Sequence, residues 1–175
     1  MRLACLFGYT KPMPRRQTKK AGKAASAKTG KAARTKTGQA RPALESAQIE
    51  HLLRGAEHFN EGRFFEAHED WEIRWRHLPA PDRAQVQAGI LVCGVFVLLR
   101  KGRIAPAERL AKRAIERFAE AGTAARMHRH RLALSLPHAE DRLLRVLARI
   151  RLGEPDANEL LSEAKGLRAV VHGLS

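Results

Sequence analysis

Acidic residues are missing from the first 43 positions of this 175-residue chain, which hold twelve lysines and arginines. Cysteine is nearly absent as well. Cys5 and Cys93 are the only two, too few for a disulfide framework, and nothing in the sequence asks for an oxidising compartment. Cys93 falls in an apolar run and reads as a small buried hydrophobe. The longest such run, Ala88 to Leu99, is twelve residues, whereas a membrane span takes about 20. Met1 to Tyr9 is too short and interrupted for a signal-peptide core. A cytoplasmic protein with no membrane partner is expected. Sustained apolar–polar alternation and Asn-Gly or Asp-Gly hairpin turns are also lacking, which argues against strands.

What is present is charge, unevenly placed. Of the 33 lysines and arginines, 21 follow residue 43 and face all 18 acids, so the body carries only +3 of the net +15. Residues 1–43 read as a disordered Lys/Ala/Thr-rich basic tail and residues 44–175 as one helical domain. Gln17 to Arg41 repeats short Lys/Ala/Thr/Gly units and has no large apolar residue to offset the entropy of ordering. Arg15, Arg16, Lys19, Lys20, Lys23, Lys28, Lys31, Arg34 and Lys36 are candidate nucleic-acid contacts, acting on polyanions through charge. A solubilising extension with no partner explains the same composition. An organelle transit leader is a third reading, although Lys-rich repetition suits it less than Arg and Ser would. Met13 is a second candidate start.

Helical periodicity organises the rest into five or six helices. The first runs from about Glu45 to Phe59, with Ile49, Leu52, Leu53, Ala56 and Phe59 on one face, and ends at Asn60 and Gly62. The second runs from about Phe64 to His77. Asp82 starts the third, whose stretch Ala88 to Leu99 is apolar on every side and therefore central. Gly89 and Gly94 let its neighbours approach closely. The fourth begins near Pro106 and ends at Gly122. Thr123 to Leu134 reads as irregular, its run from Arg126 to Arg131 either an anion site or an exposed basic loop. The fifth starts by Ser135-Leu136-Pro137. Asp156 starts the sixth, which takes in Leu160, Leu161, Ala164, Leu167 and Val171. Gly62-Arg63 followed by Ala67 recurs forty residues later as Gly102-Arg103 followed by Ala107. That echo implies two similar helical hairpins in a compact all-α bundle, since two copies fall short of a repeat array.

Chemistry-bearing side chains concentrate on the second helix. At about 100° per residue, Phe64, Ala67, His68, Trp71 and Trp75 share its inward face, with Glu72 and Glu69 at the margin. His68 can touch Glu72, and Glu72 can touch Arg76, while Asp70 and Arg74 are expected to pair on the solvent side. The simplest expectation is a satisfied network in which Glu72 accepts from His68 and Arg76, with no cofactor. A divalent metal on His68 and Glu72 is the sharper alternative. His68-Glu69-x-x-Glu72 resembles the zincin spacing with glutamate in place of the second histidine. One imidazole with one or two carboxylates suits such an ion, with His51 or His58 as candidate further ligands. A ligand pocket of His68, Glu69, Trp71, Glu72, Trp75 and Arg76 is the third reading.

The pattern Phe59-Asn60-x-Gly62-x-Phe64-Phe65-Glu66-Ala67-His68-Glu69-x-Trp71-Glu72-x-x-Trp75-Arg76 resembles the signature of a small prokaryotic helical family, domain of unknown function 309. The likeness continues through Gln87-Ala88-Gly89-Ile90 and Arg100-Lys101-Gly102 and covers about residues 45–120. It implies a compact helical bundle with no established activity. Family members carry polar residues in the third helix where this chain has Leu91 and Leu98, which counts against a metal or catalytic site. The favoured function is a non-enzymatic binding or scaffold domain with a small polar pocket and a polyanion-binding tail. The rival is a small metal-dependent hydrolase using His68, Glu69 and Glu72.

Overall fold

The apolar run of the sequence becomes helix α3, Ala80–Arg100, and the other elements cover it. The structure is a computed structural model that describes residues 40–78, 80–127, 133–153 and 156–172. The chain divides into two units, residues 1–39 and 40–175. The expected disorder of the tail and its contacts from Arg15 to Lys36 lie outside the described residues. Every residue of α3 from Ala88 to Leu99 is buried. By length and composition Arg83–Arg100 could cross a membrane, but 67% of it is buried inside the fold, as befits a core helix.

Around α3 lie α1 (Ala40–Asn60), α2 (Phe64–His77) and α4 (Ile104–Met127). They are followed by β1 (Ala133–Ser135), α5 (Ala139–Arg151), α6 (Ala157–Leu161), a 3-10 turn over Ser162–Ala164, and β2 (Val170–His172). α3 packs against both α2 and α4, α1 against α2, and α5 against α4. The forty-residue echo is a pair of matching turns. Gly62 (φ +74°) and Gly102 (φ +66°) both take the left-handed region, where a side chain is strained. Gly62 N donates to Phe59 O at 2.9 Å and Arg63 N to His58 O at 2.8 Å. Gly102 N and Arg103 N repeat this on Leu99 O and Leu98 O, both at 2.9 Å. That double bond pattern closes a helix at a glycine. The bundle is built on two such hairpins.

Element boundaries move where proline and glycine are more permissive than expected. Pro42 and Pro81 fall in the first turns of α1 and α3, where the missing N–H removes no helical bond. α1 begins at Ala40 rather than near Glu45. α4 passes through Gly122 and ends at Met127, and His128 to Arg131 lie outside the described residues. The expected absence of strands needs correcting. β1 and β2 pair antiparallel, with Leu134 opposite Val171; three residues are too few for alternation to register. Asp156 does start α6, its carboxylate accepting from Asn158 N at 2.8 Å. The helix stops after five residues, however, and Gly166 (φ +80°) turns the chain towards β2. Leu167 and Val171 are not helical.

Asn60 also differs from expectation. It stays helical, and its side chain does the tethering: Nδ2 donates to Ala169 O at 3.1 Å and Oδ1 accepts from Ala169 N at 2.7 Å. One amide thus stands in for a strand partner and ties the C-terminal segment to the end of α1.

Candidate functional site

Trp71 anchors α2 against α1 and α3. Its side chain is fully buried and fills space left by two glycines. A Cβ on Gly55 of α1 would stand 2.4 Å from the indole, and one on Gly89 of α3 would stand 3.0 Å from it. The indole Nε1 donates to Leu52 O at 3.2 Å, and the ring stacks on Phe59 at 5.5 Å between centroids. With this residue wedged, the helical repeat puts Asp70 on one flank of α2 and His68 with Glu72 on the other.

The Asp70 flank faces α1. Asp70 is 6% exposed, and its carboxylate accepts from Arg54 Nε at 3.0 and 3.1 Å and from Arg54 Nη2 at 2.5 Å. His51 Nδ1 lies 2.8 Å from Oδ1 and His58 Nδ1 3.2 Å from Oδ2. His51 Nδ1 is also 2.7 Å from Arg54 Nη2. It can donate to the aspartate or accept from the guanidinium, not both, so its tautomer selects the bond. Burial pushes the Asp70 carboxyl up, but the hydrogen bonds and charges of Arg54 and His51 outweigh it and hold the group below the usual carboxylate range. The same hydrogen bond raises Arg54. The expected solvent-side pairing of Asp70 with Arg74 is therefore corrected, because α1 offers a cation on that side. His51 and His58 face Asp70 and do not join His68. The signal was available: His51, Arg54 and His58 fall at i, i+3 and i+7 on one helical face.

The His68 flank is organised differently. His68 is 7% exposed, and its buried Nδ1 has no hydrogen-bond partner. Glu69 Oε1 stands 3.4 Å away. Ligand-capable atoms of His68, Glu69 and Glu72 all lie within 4.8 Å of one another. Glu72 Oε1 accepts from Arg76 Nη2 at 2.8 Å, so of the expected triad only the Glu72–Arg76 half is made. Trp75 is half-buried, with the Arg83 guanidinium 5.6 Å from its ring centroid and its Nε1 unpartnered. Trp71, by contrast, presents no surface to a ligand. The two tryptophans therefore do not form a shared pocket wall.

No curated protein and no solved structure matches the chain. A family model described as a domain of unknown function, DUF309, matches residues 52–110. That span starts at the carbonyl that accepts from Trp71 and ends in the first turns of α4. It takes in both glycine turns, Asp70, and the His68–Glu69–Glu72 cluster. Over residues 52–110 the chain is therefore similar to the family described as domain of unknown function, DUF309.

Proposed function

We propose that the domain is a binding module whose α2 holds a divalent metal ion through His68, Glu69 and Glu72. One observation carries the reading: a buried imidazole nitrogen beside two carboxylates has no hydrogen-bond partner. Buried polar atoms are ordinarily paired, and a cation among these three groups would satisfy them all. Metal–ligand bonds near 2.1 Å hold ligand atoms up to roughly 4.2 Å apart, so a small rotation of half-exposed Glu69 closes the set. An imidazole among the ligands favours zinc or iron over magnesium or calcium. Three ligands from one helix leave coordination positions for water or for a group on a partner.

Melting curves test this directly. Zinc should raise the midpoint of the parent chain, chelator should lower it again, and Glu72→Ala should remove the dependence, because binding to the native state alone adds stability. A parent indifferent to both zinc and chelator would overturn the assignment. The open positions and the zincin-like spacing also support a hydrolase, in which one glutamate serves as base rather than ligand. Turnover of ester and phosphoester probes by the zinc-loaded chain, lost in Glu69→Gln, would promote that reading.

The tail is the second binding element. Its support is composition: twelve cations and no acid in residues 1–43. If six of those cations meet phosphates of duplex DNA, log affinity falls against log salt with a slope near −5. A chain beginning at Ala40 should lose nearly all of that binding. Equal binding by both chains would transfer the surface to the body, with Arg126 to Arg131 as the first segment to test.

A further inference from the structure

We infer that the seam between the first glycine turn and the C-terminal segment is a binding pocket for a small organic anion with an apolar body. A cavity of about 320 Å³ opens there, at the small end of ligand-sized pockets, which run from about 300 Å³ upward. Three stretches far apart in sequence build it: Phe59 to Gly62 with Phe64, then Arg100, then Leu161 with Ala164 to Arg168. Its walls include Phe59, Phe64, Leu161, Ala164 and Leu167, which suit an aliphatic or aromatic body. The double hydrogen bond of Asn60 to Ala169 holds the far wall in place, so little ordering is left for a ligand to impose.

Charge decides the sign of the ligand. Arg100, Lys165 and Arg168 line the cavity against one acid, Glu61. Glu61 is engaged by Arg63, and Arg168 Nη1 donates to Asn60 O at 2.7 Å. Arg100 lies with its guanidinium 4.9 Å from the Phe64 ring centroid. Among the described residues, neither Arg100 nor Lys165 pairs with an acid. Cations near a helix C-terminus also answer the helix dipole, and that account suffices for Arg168. It leaves Lys165 unexplained, since the last carbonyls of α1 are already taken by Gly62 N, Arg63 N and Arg168. Uncommitted positive charge over apolar walls matches a carboxylate or phosphate ester carrying a ring or short chain. The size excludes a polymer from entering.

Amide spectra of the full-length chain, recorded in chelator to silence the α2 cluster, test the inference. The probes are benzoate and phenyl phosphate, with benzyl alcohol supplying the body without the charge and inorganic phosphate the charge without the body. Benzoate and phenyl phosphate should shift the Gly62 and Gly166 amides saturably, and each control should bind at least tenfold more weakly. Arg100→Gln and Lys165→Gln alter exposed side chains, so the spectrum should otherwise persist while affinity falls about tenfold. Ala164→Leu should fill the cavity and abolish the shifts. Benzyl alcohol matching benzoate, inorganic phosphate matching phenyl phosphate, variants binding like the parent, or shifts confined to other amides would each overturn it.

Discussion

Carboxylates stand on both flanks of α2, and the fold provides for them in opposite ways. On the α1 flank, Asp70 is buried against a cation from the chain itself. His51, His58 and Asp70 together have the composition of a two-histidine, one-carboxylate metal set, yet the position an ion would take is filled. Arg54 Nη2 lies 2.5 Å from Asp70 Oδ1 and 2.7 Å from His51 Nδ1. On the other flank, the buried His68 Nδ1 has no hydrogen-bond partner, with Glu69 Oε1 3.4 Å away, and the cation on Glu72 is exposed Arg76. A cluster's residue types therefore do not tell a structural site from a metal site. The flank proposed to hold metal differs from the closed one in that the chain buries no arginine against it among the described residues.

Removing the wedge that separates the flanks should have the largest effect. Trp71→Ala should cost about 4 kcal/mol, within the range for emptying a buried aromatic, and should loosen both flanks together. Urea titration measures it, and a loss below about 1 kcal/mol would mean that α2 holds its position without the indole.

Breaking the closed flank comes next. Asp70→Asn should cost about 3 kcal/mol at neutral pH, the low end for breaking a buried pair, because half-exposed Arg54 can turn to water. The pH dependence follows from the sign of the shift. Asp70 is held below its unfolded value of 3.8, so its contribution is complete above that value and is lost as pH falls through the folded one. The gap between parent and Asp70→Asn should therefore narrow on acidification below about pH 4. A gap that stays constant to pH 2 would show that Asp70 stabilises by shape and not by charge.

Much of this arrangement was legible in the sequence, for reasons that also explain what was not. The twelve-residue apolar run is short for a membrane span and reads as a core helix, and the repeated glycine–arginine pairs read as matching turns. Trp71 fell on the apolar stripe and is buried. Asp70 fell outside that stripe and was placed in water, because a helical wheel sees one helix at a time. The buried arc of α2 is wider than its apolar arc, since α1 brings Arg54 to cover the difference. The short strands were invisible for want of length, and Asn60's tie to Ala169 spans 109 positions, beyond any local pattern.

Trp75 sharpens the contrast along the same helix. Its ring is half-buried and carries Arg83 on one face, so Trp75→Ala should cost about 2 kcal/mol, roughly half the Trp71 value. Equal losses at the two positions would return Trp75 to the core, where its spacing first placed it.

The smallest expected effect is the one that separates the flanks most cleanly. Glu72→Gln is the same chemical change as Asp70→Asn, made on the same helix two residues on. In chelator, Glu72 is held by one i,i+4 partner, Arg76, whose side chain is 58% exposed. Such pairs contribute roughly 0.5 kcal/mol, so Glu72→Gln in chelator should change stability by about that much. A closed network of His68, Glu72 and Arg76 would instead make the loss about 3 kcal/mol, as for any buried pair deprived of one member. Zinc should then widen the difference, because parent and variant no longer bind it equally; at 100 times the dissociation constant the parent gains about 2.7 kcal/mol. Paired denaturation curves with chelator and with zinc read both numbers. A large loss in chelator that zinc leaves unchanged would make the second flank as closed as the first.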